Sequence, residues 1–145
     1  MKRELEGSLV FDSSSILELL YSTSNGVKLK EALKAEKVEG NISEITVAEI
    51  SYILCRKLGI EEARTRVKNL LDSGYITVHE TFKLIEYASN YKCKRNLSLA
   101  DCFSLALAKK LTVPVLFARR EKELLEEISS GPFDVEILFL EDFTK

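Results

Sequence analysis

Apolar and polar residues follow two rhythms along this chain. Short, nearly continuous apolar runs occur at residues 8–11 (SLVF), 75–78 (YITV), 113–117 (VPVLF) and 135–140 (VEILFL), with a weaker one at 38–43 (VEGNIS). Runs of that length, bounded by turn residues, read as buried strands. Pro114 is tolerated because it falls at the start of its run, where a strand can forgo a ladder bond. Between the runs, apolar residues recur at helical spacing, which predicts helices over 13–20, 26–36, 43–58, 60–71, 81–93, 96–111 and 119–128. Gly59 stops the third of these, and Asp72-Ser73-Gly74 and Ser129-Ser130-Gly131-Pro132 mark turns.

Strands that alternate with helices imply a parallel sheet covered on both faces. The predicted fold class is α/β, a three-layer α/β/α arrangement with a central, mainly parallel sheet of four to five strands. The chain has 145 residues, 46% hydrophobic and 30% charged, which suits a single domain over 1–145 with a sizeable core. The net charge of −2 excludes a global basic field, so any nucleic acid would have to be held by a local patch. Cys55, Cys93 and Cys102 form no C-x-x-C pair and read as reduced core residues of a cytoplasmic protein. No apolar run approaches the roughly eighteen residues of a membrane span, and the first residues lack the apolar centre of a signal peptide.

Three acids stand out against apolar surroundings. Asp12 falls where the first strand turns into a helix. Glu49 is the only acid after the first turn of the helix SEITVAEISYILCRKL. Asp101 opens NLSLADCFSLALAKKL, a helix so apolar that it must be largely buried, and shares a face with Ser98 and Ser104. Each has a plainer reading. Asp12 suits a helix cap, Glu49 a solvent-facing position, and Ser98 to Asp101 fits an S-x-x-D capping box. In a parallel sheet, however, ligands bind beyond the carboxyl ends of the strands, where all three acids are expected to meet. Carboxylates gathered there repel one another, a conflict that a divalent cation removes, and an all-oxygen donor set favours Mg²⁺ or Mn²⁺. His79, the single histidine, ends a strand run and has no sequence partner. Lys92, Lys94 and Arg95 form a basic knot, ordinarily a solvated face, that leads directly towards Asp101.

Leu9-Val10-Phe11-Asp12-Ser13-Ser14, Ser43-Glu44-Ile45-Thr46-Val47-Ala48-Glu49-Ile50 and Leu99-Ala100-Asp101-Cys102, in that order and followed by a strand, resemble the acidic motifs of the PIN domain family, the fold of the VapC toxins of toxin–antitoxin pairs. The resemblance implies a metal-dependent endoribonuclease. Asp12, Glu49 and Asp101 would hold Mg²⁺ or Mn²⁺ and carry the catalysis, RNA would be the substrate, and an antitoxin protein and a second copy of the chain would be partners. The family usually carries a further acid in a T-x-D pattern after the following strand. Here the stretch is Phe117-Ala118-Arg119, with Glu121 the nearest replacement. Lys92, Lys94, Arg95, Arg119 and Arg120 are the cations expected to grip an RNA backbone. The alternative is a non-catalytic PIN-like domain that binds RNA or protein, with Arg119 supplying the positive charge in place of a metal. The apolar surplus of residues 13–20 and 45–54 marks the expected homodimer interface. No G-x-G-x-x-G or GK[ST] loop suggests a nucleotide, and no D-x-D arrangement suggests an aspartyl phosphatase.

Overall fold

The structure, a computed structural model, describes residues 3–144; Met1, Lys2 and Lys145, which the predicted 1–145 span includes, lie outside the described residues. The elements in order are β1 (Gly7–Phe11), α1 (Ser13–Leu20), α2 (Ser24–Lys34), β2 (Val38–Ser43), α3 (Glu44–Leu58) and α4 (Ile60–Asp72). They are followed by β3 (Ile76–His79), α5 (Ile85–Lys94), α6 (Leu99–Leu111), β4 (Val115–Phe117), α7 (Lys122–Ser130) and β5 (Ile137–Phe139). The five strands form one sheet in the order β3-β2-β1-β4-β5, and every pairing is parallel. The predicted three-layer α/β/α class is therefore the observed one.

Period-two alternation divides β1 between the two faces. Leu9 and Phe11 enter a core with residues of α1 to α4, whereas Val10 enters a second core with α5, α6 and α7. Both layers are well filled, since Val10, Phe11, Ile16, Ile42, Ile50, Leu54, Leu105 and Leu116 are fully buried. The apolar α6 lies inside the second core, with Cys102 to Ala108 all buried. Among the described residues, no helix is long and apolar enough to cross a membrane.

Several boundaries differ from the sequence expectation for local reasons. The helix expected over 81–93 opens with a 3₁₀ turn at Phe82–Leu84 before α5. The helix expected from 119 starts at Lys122, because the backbone of residues 118–121 first leaves the sheet edge. Of the apolar surplus of 13–20, Ile16 is buried and Leu17, Leu19 and Leu20 are half-buried against the first core; of 45–54, Ile50 and Leu54 are buried and Tyr52 is exposed. Of the cysteines expected in the core, Cys102 is buried and Cys55 half-buried, whereas Cys93, near the end of α5, is exposed. Gly59, at φ +88°, ends α3 and begins α4, a backbone shape that a side chain would resist.

The connection from α1 to α2 is close-packed. A Cβ at Gly26 would sit 1.9 Å from the Glu18 carbonyl oxygen. That contact is with backbone, so relief requires the two helices to part. Gly26→Ala is expected to lower unfolding free energy by about 2–3 kcal/mol, the range of overpacking defects, as read from the urea midpoint at unchanged slope. A loss below about 0.5 kcal/mol would show that the turn yields easily.

Candidate active site

The strand order creates the site. From β1 the chain proceeds outward to β2 and β3, then returns across the sheet to place β4 on the other flank of β1. The crevice at such a reversal lies beyond the carboxyl end of the strands. Asp12 immediately follows β1 and stands at that point. α3 follows β2 and so begins at the same edge, whereas α6 precedes β4 and runs back towards the opposite edge, which puts its N-terminus beside Asp12. A cleft of about 710 Å³ opens there, lined among others by Asp12, Glu49, Asp101, Glu18, Arg119 and Glu121. The structure thus brings the three sequence-predicted acids to one cleft.

Each acid is fixed by its own element. Asp12 caps α1 and is 4% exposed. Its Oδ2 accepts from the Ser14 amide at 3.1 Å and the Ser14 hydroxyl at 2.9 Å, and its Oδ1 accepts from Ser104 Oγ at 3.3 Å. The Ser14 oxygen also accepts from the Ala118 amide at 3.0 Å, and Ser15 Oγ donates to the Leu116 carbonyl at 2.8 Å, so α1 is tied to the end of β4. Ser98 caps α6 by accepting from the Asp101 amide at 3.1 Å. The capping reading and the cleft reading of residue 101 therefore hold together, the main chain serving one and the carboxyl group the other. Ser43 caps α3 in the same way through the Thr46 amide. Glu49 is half-buried one turn later, where burial raises the pKa of its carboxyl group and the nearby Ser13 side chain opposes that rise.

Burial raises all three acids above their ordinary range. For Asp12, desolvation outweighs the opposing hydrogen bonds from Ser14, Asp101 and Ser104. For Glu49, desolvation is joined by the charge of Asp12. Asp101 is pushed up to about 8 by burial first, then by the charge of Asp12, its hydrogen bond with Asp12, and the charge of Glu49. Two carboxyl groups can share a hydrogen bond only when one carries a proton. Asp12 and Asp101 titrate as an interacting pair, both shifted upward, so the pair keeps a proton to higher pH than an ordinary carboxyl group.

The donor set suits a hard divalent cation. It is all oxygen and rich in acid, and the proton shared between Asp12 and Asp101 is the charge such an ion would replace. Among the described residues, however, no three acids, cysteines or histidines are drawn into a ready-made cage. Ser13, Ser14 and Ser104 are supporting residues that sequence reasoning did not assign, although Ser104 shared the predicted face of Asp101 and Ser14 lies two residues after the acid. Glu18, Tyr21, Lys57 and Glu123 also line the cleft unforeseen. The spacing of Glu49, Ile53 and Lys57 at successive fours was the available signal for Lys57.

The cations are more dispersed. Arg119 lines the cleft but pairs with Glu18 at 3.2 Å rather than with Asp12 or Asp101. Lys92 donates to the Leu97 carbonyl at 2.6 Å and so braces the turn into α6. Arg95 bonds the carbonyls of Glu127, Gly131 and Pro132 and lies over the Phe133 ring, a structural tie between α5 and α7. Arg120 is held by Glu141 and Asp142 against Phe139. Lys94 lines a separate pocket with Tyr87, Asn90 and Lys109. His79, at the end of β3, bonds the buried Asn41 side chain at 2.9 Å. An apolar groove of about 410 Å³ between α3 and α4 contains none of the three acids.

Fold and cleft together define an α/β protein with an acidic site at the reversal of a parallel sheet. The PIN domain model matches residues 9–128, and the chain belongs to that family. No functionally curated protein matches it in sequence. Among solved structures it is similar to VapC20 of Mycobacterium tuberculosis, described as a sarcin-ricin-loop-cleaving toxin, at 18% identity and TM-score 0.64, covering 88% of this chain and 98% of that one. It is also similar to DNA-bound VapBC of Salmonella typhimurium (14%, TM-score 0.66, 92% and 98%). A third similar structure is PAE2754 of Pyrobaculum aerophilum (18%, TM-score 0.62, 94% and 92%).

The shared proton makes stability depend on pH. Between pH 3.8 and about 8 the folded chain keeps a proton on Asp101 that the unfolded chain has lost. Folding then takes up protons, so stability falls as pH rises through that window. In EDTA, the melting temperature is expected to decline from pH 5 towards pH 8 in wild type and to decline less in Asp101→Asn. Differential scanning fluorimetry across buffers checks this, and parallel profiles for the two proteins would contradict it.

Proposed function

We propose that the protein is a metal-dependent endoribonuclease of the PIN and VapC type. The observation that carries this reading is the meeting of three carboxylates, from Asp12, Glu49 and Asp101, in one cleft at the reversal of the sheet. Those residues would hold Mg²⁺ or Mn²⁺. Bound there, the ion supplies neutralisation of the scissile phosphate's charge and an oriented water. The chain's own part is positional. Ser14 and Ser104 hold the Asp12 carboxylate in one orientation, and Ser98 holds the first turn of α6, which carries Asp101.

A second reading, a PIN domain that binds RNA without cutting it, is favoured by one observation. Arg119 occupies the stretch where the family usually has its further acid, and its guanidinium pairs with a cleft wall residue. An antitoxin protein is proposed as partner from the likeness to VapBC complexes. A second copy of the chain is also proposed. The apolar side chains that support pairing are Tyr52, from the expected run 45–54, with Phe82, Ile85 and Leu99, exposed by 48%, 83%, 45% and 53%, whereas those of α1 are half-buried. Light scattering at micromolar concentration is expected to give twice the chain mass, and a monomer would overturn the pairing.

The metal is tested by binding before activity. Mn²⁺ is expected to raise the melting temperature of wild type, with about 2.7 kcal/mol of added stability at a hundredfold excess over Kd. Asp12→Asn and Asp101→Asn should lose most of that response, while Arg119→Asp, which adds an acid at the cleft, should enlarge it. Wild type should cut RNA in Mn²⁺ and not in EDTA. An equal Mn²⁺ response in wild type and Asp101→Asn would sink the metal site, and Mn²⁺ binding without cleavage would favour the second reading.

A further inference from the structure

The cleft extends beyond its acidic floor. Glu49, Ile53 and Lys57 form one stripe of α3, each lining the cleft, so Lys57 lies just over two turns from Glu49, about 12 Å along the axis. Tyr21 and Thr23, in the connection between α1 and α2, line the same cleft. The Lys57 ammonium rests 4.7 Å from the centre of the Tyr21 ring, a cation–π contact that holds it on the cleft wall. The cleft lining contains six acids, Asp12, Glu18, Glu49, Asp101, Glu121 and Glu123, and two cations, Lys57 and Arg119. Arg119 is taken by Glu18 at 3.2 Å. Among the described residues, Lys57 is the one lining cation that makes no ion pair.

A polyanion entering this cleft meets repulsion from the acids of the floor, and an unpaired cation on the wall offsets it beyond the reacting position. We infer that Lys57, steadied by Tyr21, forms a phosphate-binding subsite that holds a single RNA strand away from the reacting position. The cleft runs along α3 and is walled by Tyr21 and Ile53, so a nucleoside next to the gripped phosphate has an apolar surface to lie on. Single strands, with bases free to pack, are the form of RNA that such a surface takes. The inference rests on the reading that this cleft accepts RNA. It adds a substrate-gripping residue outside the three family motifs and apart from the basic knot of Lys92, Lys94 and Arg95.

The test is fluorescence anisotropy of the full chain with a short, labelled single-stranded RNA in EDTA, titrated over a series of salt concentrations, beside a cleavage assay in Mn²⁺. Lys57→Gln is expected to weaken binding several-fold at low salt and to reduce the magnitude of the salt slope by about 0.7, the loss of one phosphate contact on a single strand. Lys57→Arg should restore both, because it keeps the charge and the stacking on Tyr21. Lys30→Gln, which removes an equal charge from a helix outside the cleft, should change neither. A Lys57→Gln protein that binds RNA as wild type does, or a Lys30→Gln protein that loses as much, overturns the subsite even where wild type cuts RNA. Wild type that neither binds nor cuts RNA overturns the subsite together with the reading beneath it. A purely structural cation–π role for Lys57 predicts a lowered melting temperature with unchanged affinity, which also overturns it.

Discussion

A carboxylate moved out of water must find a counter-charge, gather donors or take up a proton. Asp12 follows the central strand and is 4% exposed, so this requirement cannot be met by solvent. It gathers three donors from Ser14 and Ser104, and its interaction with Asp101 raises the range over which the two acids keep a proton. Those contacts reach α1, α6 and, through the second bond of the Ser14 hydroxyl, the backbone at the end of β4. The edge of the sheet is therefore organised around one buried charge. Loss of a donor here would leave an uncompensated oxygen, which costs on the order of 1–3 kcal/mol.

Strand order converts this local requirement into a site. With β1 in the middle, residues from three remote segments begin at the same edge. Each of the three helices starts with a side chain that accepts a backbone amide: Asp12 for α1, Ser43 for α3 and Ser98 for α6. A cap fixes where the first turn begins and so fixes the direction of the residues in that turn. Capping and site-building are here one operation. A sequence reading that weighed them as rivals at residues 12 and 101 posed a choice that the fold does not make.

The layers, the parallel sheet and most element boundaries were legible because apolar period decides them, and the period is written in the chain. Val38–Ser43 and Ser13–Leu20 fall where the pattern puts them. The three acids were legible because each interrupts an apolar stretch. What escaped depends on contacts remote in sequence. Nothing local distinguishes Arg95, which is spent on carbonyls of residues 127–132, from Lys94, which is not. Glu18 reads as a surface position of an amphipathic helix, yet it forms the cleft wall and takes Arg119. Apolar surplus was likewise a poor guide to open surface. The α1 leucines are half-buried against the first core, while Phe82, in a 3₁₀ turn that the helical pattern concealed, is 83% exposed.

The departure from the family pattern at Phe117-Ala118-Arg119 has a definite electrostatic consequence. The lining is acid-rich without an added acid, and burial has already driven Asp101 to hold a proton. A further carboxylate next to Asp12 would push that pair harder towards protonation. Arg119 works in the other direction, yet its partner Glu18 cancels the charge before it reaches the buried pair, since an exposed ion pair has little reach through water. The upward shift of Asp12 and Asp101 thus favours a proton on the floor, and Arg119, paired with Glu18, does little to oppose it. The proton can leave as soon as a stronger positive charge arrives, whereas an arginine is charged at every accessible pH and could not step aside. An arginine set against Glu18, away from the three acids, leaves the floor open to a cation.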